Sequence, residues 1–333
     1  MAVLGKAGGG GAISNFPIWF MESTTWACPV AMEAIVFVIG GGGAGAGAED
    51  NDGNARVQGG CAGGCAVSKL TLAVQDYTVT VGAGGASANV TSATQAGNDG
   101  SDSSFAGSGI STMTGTHGDG GHAAAGGTTV DAQTGGTASG GTLMNNTGGG
   151  QPAIGTDGYV NSGGSVGLFG PGSIGNQTTA TPSSGSYRAA YPATPAGDEP
   201  AGMGRDAGGQ TGAQNWSIPM LNLETTIRVA EARPNSSLNE QQFRNRVGQN
   251  ATWFPNGYLH SSSGTYWYHY LPVGTPLCGA GGVHTKFRYL YGGSASLGGG
   301  GGAMYSSDPS SPYSVTGGGG NGGVIIIPLS LGS

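Results

Sequence analysis

The stretch Ile35-Val36-Phe37-Val38-Ile39-Gly40-Gly41-Gly42-Gly43 runs β-branched strand sequence directly into polyglycine. The same residue dominates the chain: 72 of 333 residues are glycine, with further runs at Gly298 to Gly302 and Gly317 to Gly320. Glycine lacks Cβ, and ordering it costs roughly 0.5–1 kcal/mol more than ordering alanine. Such a chain either stays disordered or packs bare backbones closely enough to gain contacts that side chains would prevent. Disordered chains combine low hydrophobicity with high net charge. Here 37% of residues are apolar and only 9% are charged, so the composition selects close packing.

Alternation places Ile35, Phe37 and Ile39 on one face and Val36 and Val38 on the other, a strand covered on both sides. The closing run Val324-Ile325-Ile326-Ile327 suits a strand returning beside it. Between Leu70 and Val81, Leu70, Leu72 and Val74 alternate with polar or small residues, as do Tyr77, Val79 and Val81. Folding this segment about Gln75-Asp76 predicts a hairpin pairing Val74 with Tyr77, Leu72 with Val79 and Leu70 with Val81.

Residues 82–215 carry only isolated apolar anchors such as Phe105, Ile110, Met113, Val130, Leu143, Ile154, Val166, Leu168 and Phe169. So long a structureless loop is unusual in a compact domain. Extended polyproline-II segments, with three residues per turn and no internal hydrogen bonds, are the alternative. Each peptide group then needs a partner on a neighbouring segment, and Cα–H···O contacts add about 0.5–1 kcal/mol each. The fold class that follows is all-β: a glycine-rich, β-sandwich-like body with stacked polyglycine segments of polyproline-II type and an inserted aromatic-rich region.

Four regions result. Residues 1–22 form a leader whose apolar piece Ile13 to Phe20 reads as a docking peptide or as a strand joining the core. Residues 23–215 are the glycine-rich body, 216–278 the insertion, and 279–333 the returning glycine-rich segment and closing strand. Within the insertion, Ser237-Leu-Asn-Glu240 matches a capping box before a short helix that Gly248 would close. The same region concentrates Trp253, Phe254, Tyr258, Tyr266, Trp267, Tyr268 and Tyr270. Tyrosine and tryptophan are enriched at binding hot spots, which makes Trp253, Tyr258, Tyr266, Trp267, Tyr268 and Tyr270 the candidate binding residues. They could equally form the core of the insertion, and strand alternation would divide Tyr266, Tyr268 and Tyr270 from Trp267.

Other functions are disfavoured. A net charge of −7 with 11 basic residues argues against nucleic-acid binding. No apolar stretch approaches the roughly 18 residues of a membrane span, and the first residues lack a signal-peptide core, so synthesis in a cytoplasm is expected. Four cysteines are too sparse for a disulfide scaffold. Cys61 and Cys65 fit a zinc knuckle only if two further ligands arrive from elsewhere; core-lining thiols are the simpler reading, and no metal or cofactor is expected. His117 and His122 flank Gly118-Asp119-Gly120-Gly121 and read as surface histidines. No helical pattern follows the glycine runs, so a phosphate-binding helix end is missing. The one enzymatic reading is a polysaccharide depolymerase using paired carboxylates among Asp198, Glu199, Glu224 and Glu231. Because Asp198-Glu199-Pro200 is a proline-rich turn, where solvated acids are routine, no enzyme is expected.

Four pieces in order resemble the glycine-rich domain family of bacteriophage tail, tail-fibre and adhesin proteins. They are Trp26 through Gly43, Leu70 through Gly85, Gly97-Asn98-Asp99-Gly100 through Ser103-Ser104-Phe105, and Gly319 through Ile326. Ala31 and Gln75-Asp76 depart from the pattern, and residues 128–278 have no counterpart. The resemblance implies a virion structural protein at a tail tip, fibre or spike, in which stacked polyglycine helices support variable loops that touch the host. It also implies partners among other virion proteins and host-surface glycans or outer-membrane proteins, and a homo-oligomer, a trimer foremost. A purely architectural virion role, as decoration or baseplate component, is the alternative. A secreted ice-binding or cell-wall protein would want a strict three-residue glycine period, which Gly126 to Gly150 lacks.

Overall fold

The computed structural model describes residues 17–49, 55–90, 94–125, 128–155, 297–306 and 315–331, with Gly164, Gly172 and short paired strands between residues 160 and 286. Strand Met32–Ile39 is its centre, paired along its length with Cys65–Leu72 on one side and Gly323–Leu331 on the other. The returning strand lies where the aliphatic closing run predicts it, with Val324 opposite Val38 and Ile326 opposite Val36. Ile18–Phe20 and Met144–Asn146 complete this five-stranded sheet at its edges. The apolar end of the leader is therefore a strand of the body at residues 18–20, and the rest, residues 1–16, lies outside the described residues. A second five-stranded sheet runs in the order Ala138–Ser139, Met113–Gly115, Ser103–Ala106, Asp76–Thr80, Thr24–Ala27.

Both faces of the central strand are covered, as its two-sided apolar pattern predicts. Ala34, Val36 and Val38 share one core with Tyr77, Val79, Phe105 and Met113 of the second sheet. Phe37 and Ile39 pack on the opposite face with Cys65, Val67, Ile325 and Leu297. The first core is anchored by stacked rings, Tyr77 on Phe105 with centroids 5.1 Å apart. The all-β reading holds: among the described residues there is no helix.

The hairpin expectation fails. Cys65–Leu72 and Asp76–Thr80 belong to different sheets, so the chain crosses from one sheet to the other at residues 73–75 instead of turning back on itself. Leu72, Tyr77 and Val79 do point into one core, but they reach it from opposite sides, and Val74 is 64% exposed. Thr24–Ala27 takes the place beside Asp76–Thr80, with Trp26 opposite Tyr77. Gln75-Asp76 lacks the glycine that a tight two-residue turn demands. The Tyr77 hydroxyl instead pins the corner, accepting from the Ala73 amide at 2.9 Å.

Beyond the two sheets the chain continues as a bundle of glycine-rich segments. Every amide from Gly40 to Ala46 donates to a neighbouring carbonyl at 2.8–3.0 Å, and the partners change in rotation. Gly40, Gly43 and Ala46 donate to Gly64, Cys61 and Gln58; Gly41 and Ala44 to Ser101 and Asn98; Gly42 and Gly45 to Gly320 and Gly317. Each set steps by three residues on both chains, the period of polyproline II, and runs antiparallel. Carbonyls of the same segment accept from Gly118 and Gly121, from Gly301 and Met304, and from Gly85. One extended segment is thus held on all sides by peptide groups alone. The same step of three recurs where Thr316, Gly319 and Gly322 donate to Ala88, Gly85 and Gly82.

Glycine is needed here for room, not for unusual dihedrals. Among the described glycines only Gly109, Gly140 and Gly298 have positive φ. A Cβ built on Gly42 would overlap the carbonyl of Gly299, and one on Gly319 would overlap the carbonyl of Gly42. The Cα hydrogens at these positions therefore face carbonyl oxygens, the arrangement of Cα–H···O contacts. Because the obstacle is hydrogen-bonded backbone, it cannot move aside as a side chain would. Gly42→Ala is expected to destabilise the fold by about 3 kcal/mol or more, at or beyond the upper end of ordinary overpacking. Gly155→Ala, where no atom lies within 4 Å of the added carbon, should stay within about 0.5 kcal/mol. Denaturant midpoints of the two variants check the contrast.

Candidate functional site

The bundle has two unlike ends. At one end its segments enter the paired sheets; at the other they meet small side chains and short strands. Gly47 marks the change, since a Cβ there would meet side-chain atoms of Val90, Thr316 and Met304 instead of backbone. Gly47–Glu49 lies between Met304–Ser306 and Thr94–Gln95, with Thr285–Lys286 on the outer edge of that four-stranded sheet. Arg56–Val57 lies between Ala123–Ala124 and Val160–Asn161, with Gln177–Thr178 at the outer edge. Bridges Asn89 to Val315 and Val130 to Ile154 close the same end. Residues 50–54, 91–93, 126–127, 156–159 and 307–314, outside the described residues, join segments that end there.

Buried polar side chains finish the bundle where its regular peptide pairing stops. The Gln58 carboxamide donates to the carbonyls of Asp131 at 2.8 Å and Pro152 at 2.9 Å and accepts from the His122 amide at 3.3 Å. Gln151 donates to the Gly60 carbonyl at 3.0 Å. Arg56, 2% exposed, donates through Nε to the Gly155 carbonyl at 3.1 Å. Gln58 and Arg56 supply donors to carbonyls at the edge of the backbone pairing, and Gln151 adds a second donor to the Gly60 carbonyl, which also accepts from the Gly164 amide. Sequence reasoning passed over Gln58, Gln151 and Arg56, because a single polar residue in a glycine-rich stretch has the look of a loop.

The predicted contact residues fall within residues 179–284, the interval between the edge strands Gln177–Thr178 and Thr285–Lys286. Tyr266 is the one whose backbone is placed, opposite Ser261 in a short antiparallel pair. Trp253, Tyr258, Trp267, Tyr268 and Tyr270 lie outside the described residues. So do the capping-box segment and the carboxylates Asp198, Glu199, Glu224 and Glu231.

The two histidines beside Asp119 turn to separate partners. His117 Nδ1 lies 2.6 Å from Asp102 Oδ1, which also accepts from the His117 amide at 2.8 Å. Partial burial pushes the Asp102 carboxyl up, but the His117 hydrogen bonds and charge together outweigh it and hold the group below the usual carboxylate range. His122 Nδ1 lies 3.2 Å from Gln133 Nε2. Among the described residues no cluster of three His, Cys, Asp or Glu could hold a metal ion.

Cys61 and Cys65 are buried in the interior where the bundle meets the central sheet. Burial pushes the Cys61 thiol up to about 12, and the Asp119 charge adds to the effect.

The sequence model of the glycine-rich domain family matches residues 21–327. The chain therefore belongs to that family, and the match takes in the paired sheets, the bundle and the far end together. No curated protein matches the chain.

The Cys61 environment carries a pH signature. Above pH 9.0, the ordinary value, the unfolded chain releases the thiol proton while the folded chain keeps it until about pH 12. Stability attributable to this thiol is therefore complete below pH 9 and falls by about 1.4 kcal/mol per pH unit above it. Wild type should lose more stability than Cys61→Ala between pH 9 and pH 11, as read by denaturant titration at each pH.

Proposed function

We propose that the protein is a bacteriophage virion component, at a tail fibre, tail tip or spike, that presents its far-end segments to the host surface. The observation that carries this reading is the bundle itself. Peptide planes packed without intervening side chains make a stiff, nearly uncharged support, and it delivers five connecting segments and both flanks of residues 179–284 to one end. Conserving the support while varying connections is the economy expected of loops set on a rigid scaffold. The ordered resemblance to phage tail and adhesin proteins supplies the setting.

In this reading Trp253, Tyr258, Tyr266, Trp267, Tyr268 and Tyr270 supply rigid contact area to a host glycan or outer-membrane protein. The paired-sheet end faces other virion proteins. A homotrimer is the favoured assembly, since it would cover the sheet edges left open in one chain.

Deleting residues 216–278 in the phage tests the proposal. Particles of normal composition that no longer adsorb to host cells are the expected result. Incomplete particles would instead assign the region to assembly, and normal adsorption would remove it from attachment.

A further inference from the structure

The bundle is closed by hydrogen bonds among residues 40–155, Gly164, Gly172 and 298–322. All seven amides from Gly40 to Ala46 are satisfied by carbonyls of residues 58–64, 98–101 and 317–320, and carbonyls of the segment accept from Gly85, Gly118, Gly121, Gly301 and Met304. The two flanks of that interval are also tied to each other through the body. Gly164, just after strand Val160–Asn161, donates to the Gly60 carbonyl and accepts from the Gly300 amide at 2.9 Å. Val160–Asn161 in turn pairs with Gln177–Thr178, and Met304–Ser306, just after Gly300, pairs with Thr285–Lys286. The chain thus leaves from one outer edge strand and returns to another, and the segments beside those edges are hydrogen-bonded neighbours.

We infer that the body folds and stays closed without covalent continuity through residues 179–284. Edge strands can be extended or interrupted without disturbing the ladder behind them, because their outer peptide groups serve no interior partner. Loop-closure entropy grows slowly with length, so a long excursion between neighbouring points burdens the body little. Fragments 1–178 and 285–333 are then held together by the bundle, since Gly42 and Gly45 donate to Gly320 and Gly317, and Gly301, Met304, Gly319 and Gly322 donate to Gly43, Ala46, Gly85 and Gly82. The inference concerns closure of the body and stands apart from the attachment reading, because adsorption is not its readout.

The test is cleavage of the full chain carrying specific protease sites after Thr178 and before Thr285. The expected result is that fragments 1–178 and 285–333 co-elute and that amide protection at residues 40–46 is unchanged. A second variant, with 179–284 replaced by a short glycine-serine linker, should show the same protection. Loss of protection on cleavage overturns the inference whatever the linker variant does, and so does separation of fragments 1–178 and 285–333.

Discussion

The structure depends on one contact repeated many times: a peptide amide donating to a carbonyl on a neighbouring extended segment, with only hydrogens between the two backbones. Segment 40–46 shows it in full, each amide turning to the next of three neighbours as the chain advances. The period of three is what distributes the bonds around the segment, where a strand would confine them to two sides. A single hydrogen bond adds modest net stability, about 0.5–1.5 kcal/mol. The stronger constraint is the cost of leaving any of these buried groups unpaired, which binds all the segments into one cooperative unit.

That constraint explains how sheets and bundle share a chain. Strand Met32–Ile39 is buried on both faces and gives the bundle a fixed starting point, while Gly323–Leu331 returns beside it from the last bundle segment. Side-chain packing therefore sets the register at one end, and backbone packing carries it to the other. At the far end Gln58 imitates the peptide group with its carboxamide, donating to the Asp131 and Pro152 carbonyls and accepting from the His122 amide where the repeat stops.

Much of this was legible in the sequence, and the failures have physical causes. The two-faced pattern of Ile35 to Ile39 and the aliphatic run at Val324 identified the central pair, because burial of both faces leaves no polar positions. Alternation in Leu70 to Val81 reported that Leu72, Tyr77 and Val79 face inward, but not that Val74 lies exposed at the crossing or which strand lies beside each. Leu72 and Val79 meet across two sheets instead of across a turn. Low charge with abundant glycine pointed to stacked extended segments, yet the period of three was invisible in the glycine spacing, since Ala44, Ala46, Cys61 and Ala62 also occupy fully buried places. The flanks at 177–178 and 285–286 were illegible for a simpler reason: two-residue strands are too short to show alternation.

Native-state hydrogen exchange of the amides from Gly40 to Ala46 tests the central claim most directly. If bare peptide groups hold the molecule together, these amides should exchange only with global unfolding, as slowly as those of strand Met32–Ile39. Exchange near the rate of an unstructured glycine chain, while the strand stays protected, would contradict the account.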